Sequence, residues 1–127
     1  MKILLDSNVL FNLHIKPSKL GPRTLKDLSS ADQVYFSPLS FFELLQKEAI
    51  PSHLANDLVQ ATHEIGIREQ PLTTEAALEA RQFGNLRGRD PMDLLILSQA
   101  SEARMQFYTS DMRLLSLGLD FVKDSTK

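Results

Sequence analysis

The sequence predicts an α/β domain built on a mainly parallel sheet. Short apolar runs alternate along the chain with amphipathic helical patterns, the order expected when each strand is followed by a helix that packs back onto the sheet. The strand-like runs are continuously apolar rather than alternating, as expected where both faces of a sheet are covered. The 127 residues suit one domain over 1–127, large enough to bury a core without covalent staples.

The strand-like runs are KILL at 2–5, QVYF at 33–36 and MQFYT at 105–109, with LDFV at 119–122 as a weaker fourth. A helix starts near residue 8. Leu25 and Leu28 among polar neighbours predict another over 22–30, and two more follow at 38–49 and 52–65. The stretch TTEAALEARQFG at 73–84 has a Thr cap and Gly84 near its stop, and PMDLLILSQASEA at 91–103 is the last long helix. Loops fall at 16–22, 50–52 and 85–90. The chain shows neither internal repeats nor low-complexity segments.

Composition narrows the function. Apolar residues make up 43% and charged residues 24%, ordinary values for a globular protein. There are no cysteines, which excludes disulfides and thiolate metal sites and fits a reducing cytoplasm. A net charge of −2 argues against a general nucleic-acid binder coated in basic residues, though not against a local basic patch. No run approaches the roughly 18 apolar residues of a membrane span. Asp6, Asn8 and Asn12 interrupt the apolar start, so it does not read as a secretory signal.

Acidic residues recur where strands end. KILL runs into Asp6; QVYF runs into Ser37 and Pro38, with Glu43 about a turn and a half later; MQFYT runs into Ser110 and Asp111. In an open parallel sheet, ligands bind in the crevice outside the carboxyl ends of the strands, so these acids would meet at one edge. Asp93 joins them, because Ile96, Leu97 and Ala100 lie three, four and seven residues on and share its helical stripe. Two carboxylates about 4 Å apart repel by roughly 4 kcal/mol at an effective dielectric near 20. Such a cluster persists when it binds a cation or shares a proton. Oxygen donors without Cys or paired His suit Mg²⁺ or Mn²⁺, and that chemistry suits phosphodiester hydrolysis.

Each acid also has a structural explanation. Asp6 is placed to cap the helix near residue 8, Glu43 precedes Lys47 by four residues in the favourable helical orientation, and Asp111 or Ser110 is placed to cap the last helix. Asp90 reads as an N-cap before Pro91, with Asp93 able to complete a capping box. His14, His53 and His63 show no metal-ligand spacing and read as surface or partly buried residues. Neither a Gly-rich phosphate loop nor a G-x-S-x-G elbow is present. Arg87 and Arg89 form a basic loop that, beside an acidic site, would steer a phosphate backbone.

ILLDSNVLFNL, SPLSFFELLQK, DPMDLLILSQA and YTSDMRLL occur in this order. Together they make the sequence resemble the PIN-domain ribonucleases, most closely the VapC-type toxins of toxin–antitoxin modules, over residues 2 to about 122. The chain departs from the frequent D-P-F-D-R pattern, with Met92 in place of Phe and Leu94 in place of Arg, and RGRD lacks the His often found before that motif. The resemblance implies a PIN-like α/β/α sandwich and a Mg²⁺- or Mn²⁺-dependent endoribonuclease that cleaves RNA with metal-activated water. It implies Asp6, Glu43, Asp93 and Asp111 as catalytic metal-site residues, with Asn8 and Ser110 supporting the metal shell. Arg87 and Arg89 are weaker expectations for RNA contact. A homodimer and a cognate antitoxin that blocks the site are implied as well. Two other classes stay open: a catalytically inert PIN-like binding module, and a DNA or phosphoester hydrolase with the same acidic site.

Overall fold

Ile3, Leu4 and Leu5 have no exposed surface, which makes KILL the central strand on which the fold is built. The computed structural model describes residues 1–86 and 90–127. Among these residues the strands are β1 (Lys2–Leu5), β2 (Gln33–Phe36), β3 (Arg68–Glu69), β4 (Gln106–Thr109) and β5 (Val122–Asp124). They form one sheet in the order β3-β2-β1-β4-β5, and every pairing is parallel. The expected mainly parallel sheet is therefore wholly parallel over the described residues.

The helices are α1 (Ser7–Ile15), α2 (Pro22–Ser30), α3 (Pro38–Gln46), α4 (Ser52–Glu64), α5 (Thr74–Glu79), α6 (Pro91–Glu102) and α7 (Met112–Leu115). They pack on both faces. Successive β1 side chains alternate between faces, so Leu4 joins Ile96, Leu97 and Phe107 in one core layer. Ile3 and Leu5 join Val9, Leu10 and Phe36 in the other. This is an α/β/α sandwich. No helix among the described residues is long and apolar enough to cross a membrane.

Several element boundaries differ from expectation, each for a local reason. Helix α3 stops at Gln46 rather than 49, because Glu48 adopts a left-handed φ of 53°. The Ala49 N–H then closes the turn on the Leu44 carbonyl, a helix ending more usual with Gly. The helix expected at 73–84 keeps its Thr73 cap, but it gives way after Glu79 to a 3₁₀ segment over Ala80–Leu86 with Phe83 off helical geometry. The fourth apolar run is displaced: Leu119 and Phe121 pack on the core, while the strand proper begins at Val122, opposite Phe107. β3 was not expected, since its two residues are both exposed and carry no apolar signal. The loop expected at 85–90 falls largely outside the described residues.

The topology decides where ligands sit. From β1 the chain moves outward to β2 and β3, then returns to lay β4 on the other side of β1. The strand order thus reverses between β1 and β4, and the crevice at their carboxyl ends is the expected binding position of an open α/β sheet.

Candidate metal centre

Asp6 directly follows β1, and its backbone N–H continues the ladder by donating to the Tyr108 carbonyl at 2.9 Å. Its side chain is only 3% exposed. One carboxylate oxygen accepts from the Ser7 N–H at 2.8 Å, so Asp6 does cap α1, as its structural explanation requires. The other accepts from the Thr109 hydroxyl at 2.6 Å and from Asn8 Nδ2 at 3.3 Å. Capping and site formation thus coexist in one carboxylate.

The other acids reach the same crevice from three more elements. Glu43 lies on the second turn of α3 and is buried. Asp93 lies in the first turn of α6, whose N-cap Asp90 accepts from the Met92 N–H at 2.9 Å. Asp111 caps α7 through the Arg113 N–H at 2.9 Å. All four acids line one cleft of about 210 Å³, together with Asn8, Lys47 and Arg113. Asp6, Glu43 and Asp93 each offer a carboxylate oxygen, and these oxygens lie within 4.8 Å of one another. Asp111 stands outside that group of three.

Two features make this trio fit a hard cation. One is the donor set of carboxylate oxygens. The other is Glu43 Oε2, which is fully buried yet accepts no hydrogen bond among the described residues. The predicted Lys47–Glu43 pair does form, but Lys47 Nζ comes no closer than 3.6 Å and is itself 63% exposed. A buried carboxylate oxygen without a hydrogen bond is costly, and a cation would satisfy it.

The electrostatics agree. Burial raises the Asp6 carboxyl to about 6, against the hydrogen bonds from Thr109 and Ser7 that hold it down; the charges of Glu43 and Asp111 add to the rise. Burial raises Asp93 to about 7, helped by the charges of Asp6, Glu43, Asp90 and Asp111. Near neutral pH the cluster is therefore poised to hold a proton or a metal.

The supporting residues differ in part from those expected. Asn8 bridges the crevice, touching Asp6 with its Nδ2 and accepting the Ser110 N–H at 3.2 Å. Ser110 thus acts through its backbone. Thr109 was missed, and so was Gln99. The β1–β4 register pairs Leu5 with Tyr108, which carries Thr109 to the side of Asp6. Its hydroxyl also accepts the Asp111 N–H at 3.0 Å. Gln99 accepts from the Ser37 hydroxyl at 2.6 Å and donates to the Gln70 carbonyl at 3.0 Å, tying α6 to the start of α3 and hence Asp93 to Glu43. The TSD stretch contained a signal for Thr109, a hydroxyl at a strand end beside an acid, but its partner depends on strand register.

His14 bonds the Thr62 hydroxyl at 2.8 Å, and His63 meets the ring of Phe36 edge-on. Neither lines the cleft. Arg87 and Arg89 lie outside the described residues.

Thr109→Val keeps the shape of the side chain and removes the hydroxyl. It is expected to cost about 1–3 kcal/mol of stability, the range for a hydrogen bond to a buried charged group. It should also weaken divalent-ion binding roughly 10- to 100-fold, as loss of a ligand-orienting partner does. Urea denaturation and Mn²⁺ titration measure the two effects.

Comparison with known proteins agrees with this architecture. The family model of the PIN domain matches residues 3–118. No curated protein sequence matches the chain. Among solved structures, it is similar to VapBC2 from Rickettsia felis, bound to a DNA fragment from its promoter, with a TM-score of 0.75, 14% identity and 98% of each chain covered. A toxin–antitoxin complex from Klebsiella pneumoniae matches with a TM-score of 0.68, 19% identity and 95% of each chain covered. The sarcin–ricin loop cleaving toxin VapC20 from Mycobacterium tuberculosis matches with a TM-score of 0.66 and 16% identity, over 95% of this chain and 98% of that one. At such identities these structural likenesses speak to the fold. With a family match from residue 3 to residue 118 and a wholly parallel sheet whose carboxyl edge gathers the acids, the chain belongs to the PIN-domain family.

Proposed function

We propose that this protein is a Mg²⁺- or Mn²⁺-dependent endoribonuclease, acting as a toxin held in check by a cognate antitoxin. The observation that carries the reading is the trio of buried Asp6, buried Glu43 and part-exposed Asp93, with Glu43 Oε2 lacking a hydrogen bond among the described residues. These three side chains would hold the ion. When bound, a divalent ion makes a water more acidic and offsets charge building on a phosphate. Thr109, Asn8 and the Ser7 N–H hold the Asp6 carboxylate in one orientation. Asp111 borders the cleft, and Lys47 and Arg113 give it a cationic rim toward a phosphate backbone.

The toxin reading extends from the family and from the structural neighbours, one of which is described as cleaving the sarcin–ricin loop and another as a toxin–antitoxin complex. An apolar groove lined by Leu13, Leu25, Leu28, Val34, Ile65 and Ile67 supports a protein partner, since Leu25 and Ile65 are 45% and 59% exposed. A homodimer forms part of the same proposal.

The test is incubation of the purified protein with a mixed RNA pool in Mg²⁺, in Mn²⁺ and in EDTA, with single-stranded DNA and a small phosphodiester in parallel. RNA cleavage confined to the metal-containing samples is the expected result. Equal cleavage of DNA would move the substrate class. Absence of cleavage, together with no metal-linked rise in melting temperature, would leave an inert binding module.

A further inference from the structure

Arg113 has an arrangement that holding one cation does not require. Its Nε and Nη2 reach the two oxygens of Asp111 at 3.2 and 2.9 Å, a two-pronged pair. The same Nη2 lies 3.6 Å from Asp93 Oδ2. One guanidinium therefore spans the gap between Asp93, a member of the metal-binding trio, and Asp111, which stands outside it. In two-metal phosphodiesterases the ions lie about 3.5–4 Å apart, and a carboxylate commonly serves both. Asp93 and Asp111 are the pair that would hold such a second ion here, and Arg113 already sits against both.

Charge balance points the same way. Among the described residues, the cleft is lined by the carboxylates Asp6, Glu43, Asp93 and Asp111 and by the cations Lys47 and Arg113. One divalent ion together with these two cations neutralises the four carboxylates formally. A second divalent ion would overcharge the cleft, and by less once Arg113 is replaced. The planar fork of an Arg–carboxylate pair holds its geometry better than a Lys ammonium would, so the guanidinium is suited to a fixed position.

We propose that Arg113 stands in for a second divalent ion, so that this chain binds one divalent ion per site and carries the other positive charge on its own side chain. The proposal rests on the reading of Asp6, Glu43 and Asp93 as a metal centre.

The experiment is calorimetric titration of Mn²⁺ into the full-length protein without RNA, backed by electron paramagnetic resonance of the loaded samples. The variants are Arg113→Gln, Arg113→Ala and the double variant Asp111→Asn with Arg113→Gln. The Arg113 side chain is 64% exposed, so its replacement leaves the core intact, and circular dichroism checks the fold of each variant. Wild type is expected to bind one Mn²⁺ per chain with an uncoupled six-line signal. Arg113→Gln and Arg113→Ala should bind two, with the spectrum of a coupled pair, and the double variant should return to one. Two coupled ions in wild type would overturn the proposal while leaving the metal centre standing. A single ion in both Arg113 variants would overturn it equally. A wild type that binds none would remove the metal centre itself, and the proposal with it.

Discussion

Glu43→Gln is expected to lower metal-dependent RNA cleavage by about 100-fold or more, while the protein remains folded. Removal of residues that merely orient a metal ligand costs roughly 10- to 100-fold, and Glu43 is proposed as a ligand itself. The substitution keeps the volume of the side chain and replaces a carboxylate oxygen with an amide group. Glu43 Oε2 accepts no hydrogen bond among the described residues, so the fold does not depend on it for pairing, and the nearby Lys47 is largely exposed. A structural role predicts a different pattern. If Glu43 served only to pair with Lys47, then Lys47→Ala would match Glu43→Gln in stability and both would retain cleavage. Initial cleavage rates at saturating Mn²⁺, beside urea denaturation of both variants, separate the two cases. Retained cleavage in folded Glu43→Gln would remove this residue from the site.

The second large effect is on stability. In EDTA, the acidic cluster is expected to make the protein less stable as pH rises from about 4 to about 7.5. The sign follows from Asp6 raised to about 6 and Asp93 raised to about 7. Between the ordinary carboxylate range and these values, the folded state keeps protons that the unfolded chain has lost. Stability therefore falls with pH through that window and levels off above it. Asp32 and Asp124, both held below the usual value, contribute with the opposite sign at lower pH, so the informative quantity is a difference between samples. Adding Mn²⁺ should raise the melting temperature little at pH 4.5 and by roughly 10 °C at pH 7.5, corresponding to about 2–4 kcal/mol. Asp93→Asn in EDTA should match wild type near pH 4 and exceed it by about 1–2 kcal/mol at pH 7.5, a figure reduced for the partial exposure of this group. Parallel pH profiles for wild type and Asp93→Asn would show that Asp93 bears no such burden.

Both effects trace to residues that were readable without coordinates, and the reason is geometric. Asp6 follows a run of three residues with no exposed surface, and a strand that deeply buried places its next residue at the sheet edge. Asp93 shares a helical stripe with Ile96, Leu97 and Ala100, all fully buried, so periodicity alone turned it inward. Glu43 was less secure from sequence, since its spacing to Lys47 also described a solvated pair. Burial of one partner and exposure of the other decide that point.

The amino-acid chain on its own set the elements with strong local signals: β1 and β2 as apolar runs, α2 behind Pro22, α6 behind the Asp90 cap and Pro91. It also determined which acids end up at strand and helix ends. The tertiary structure alone decided the rest. β3 exists because Tyr35 and Phe36 offer a free edge that Arg68 and Glu69 pair with, a backbone interaction indifferent to side-chain type. β5 begins at Val122 because register against β4 sets it, not the apolar run before it. Thr109 meets Asp6, Gln99 ties α6 to α3, and Arg113 reaches Asp93, partners separated by 20 or more residues of chain. Such contacts depend on register and helix docking, which are collective properties of the packed chain, so they carry no local signal in the sequence.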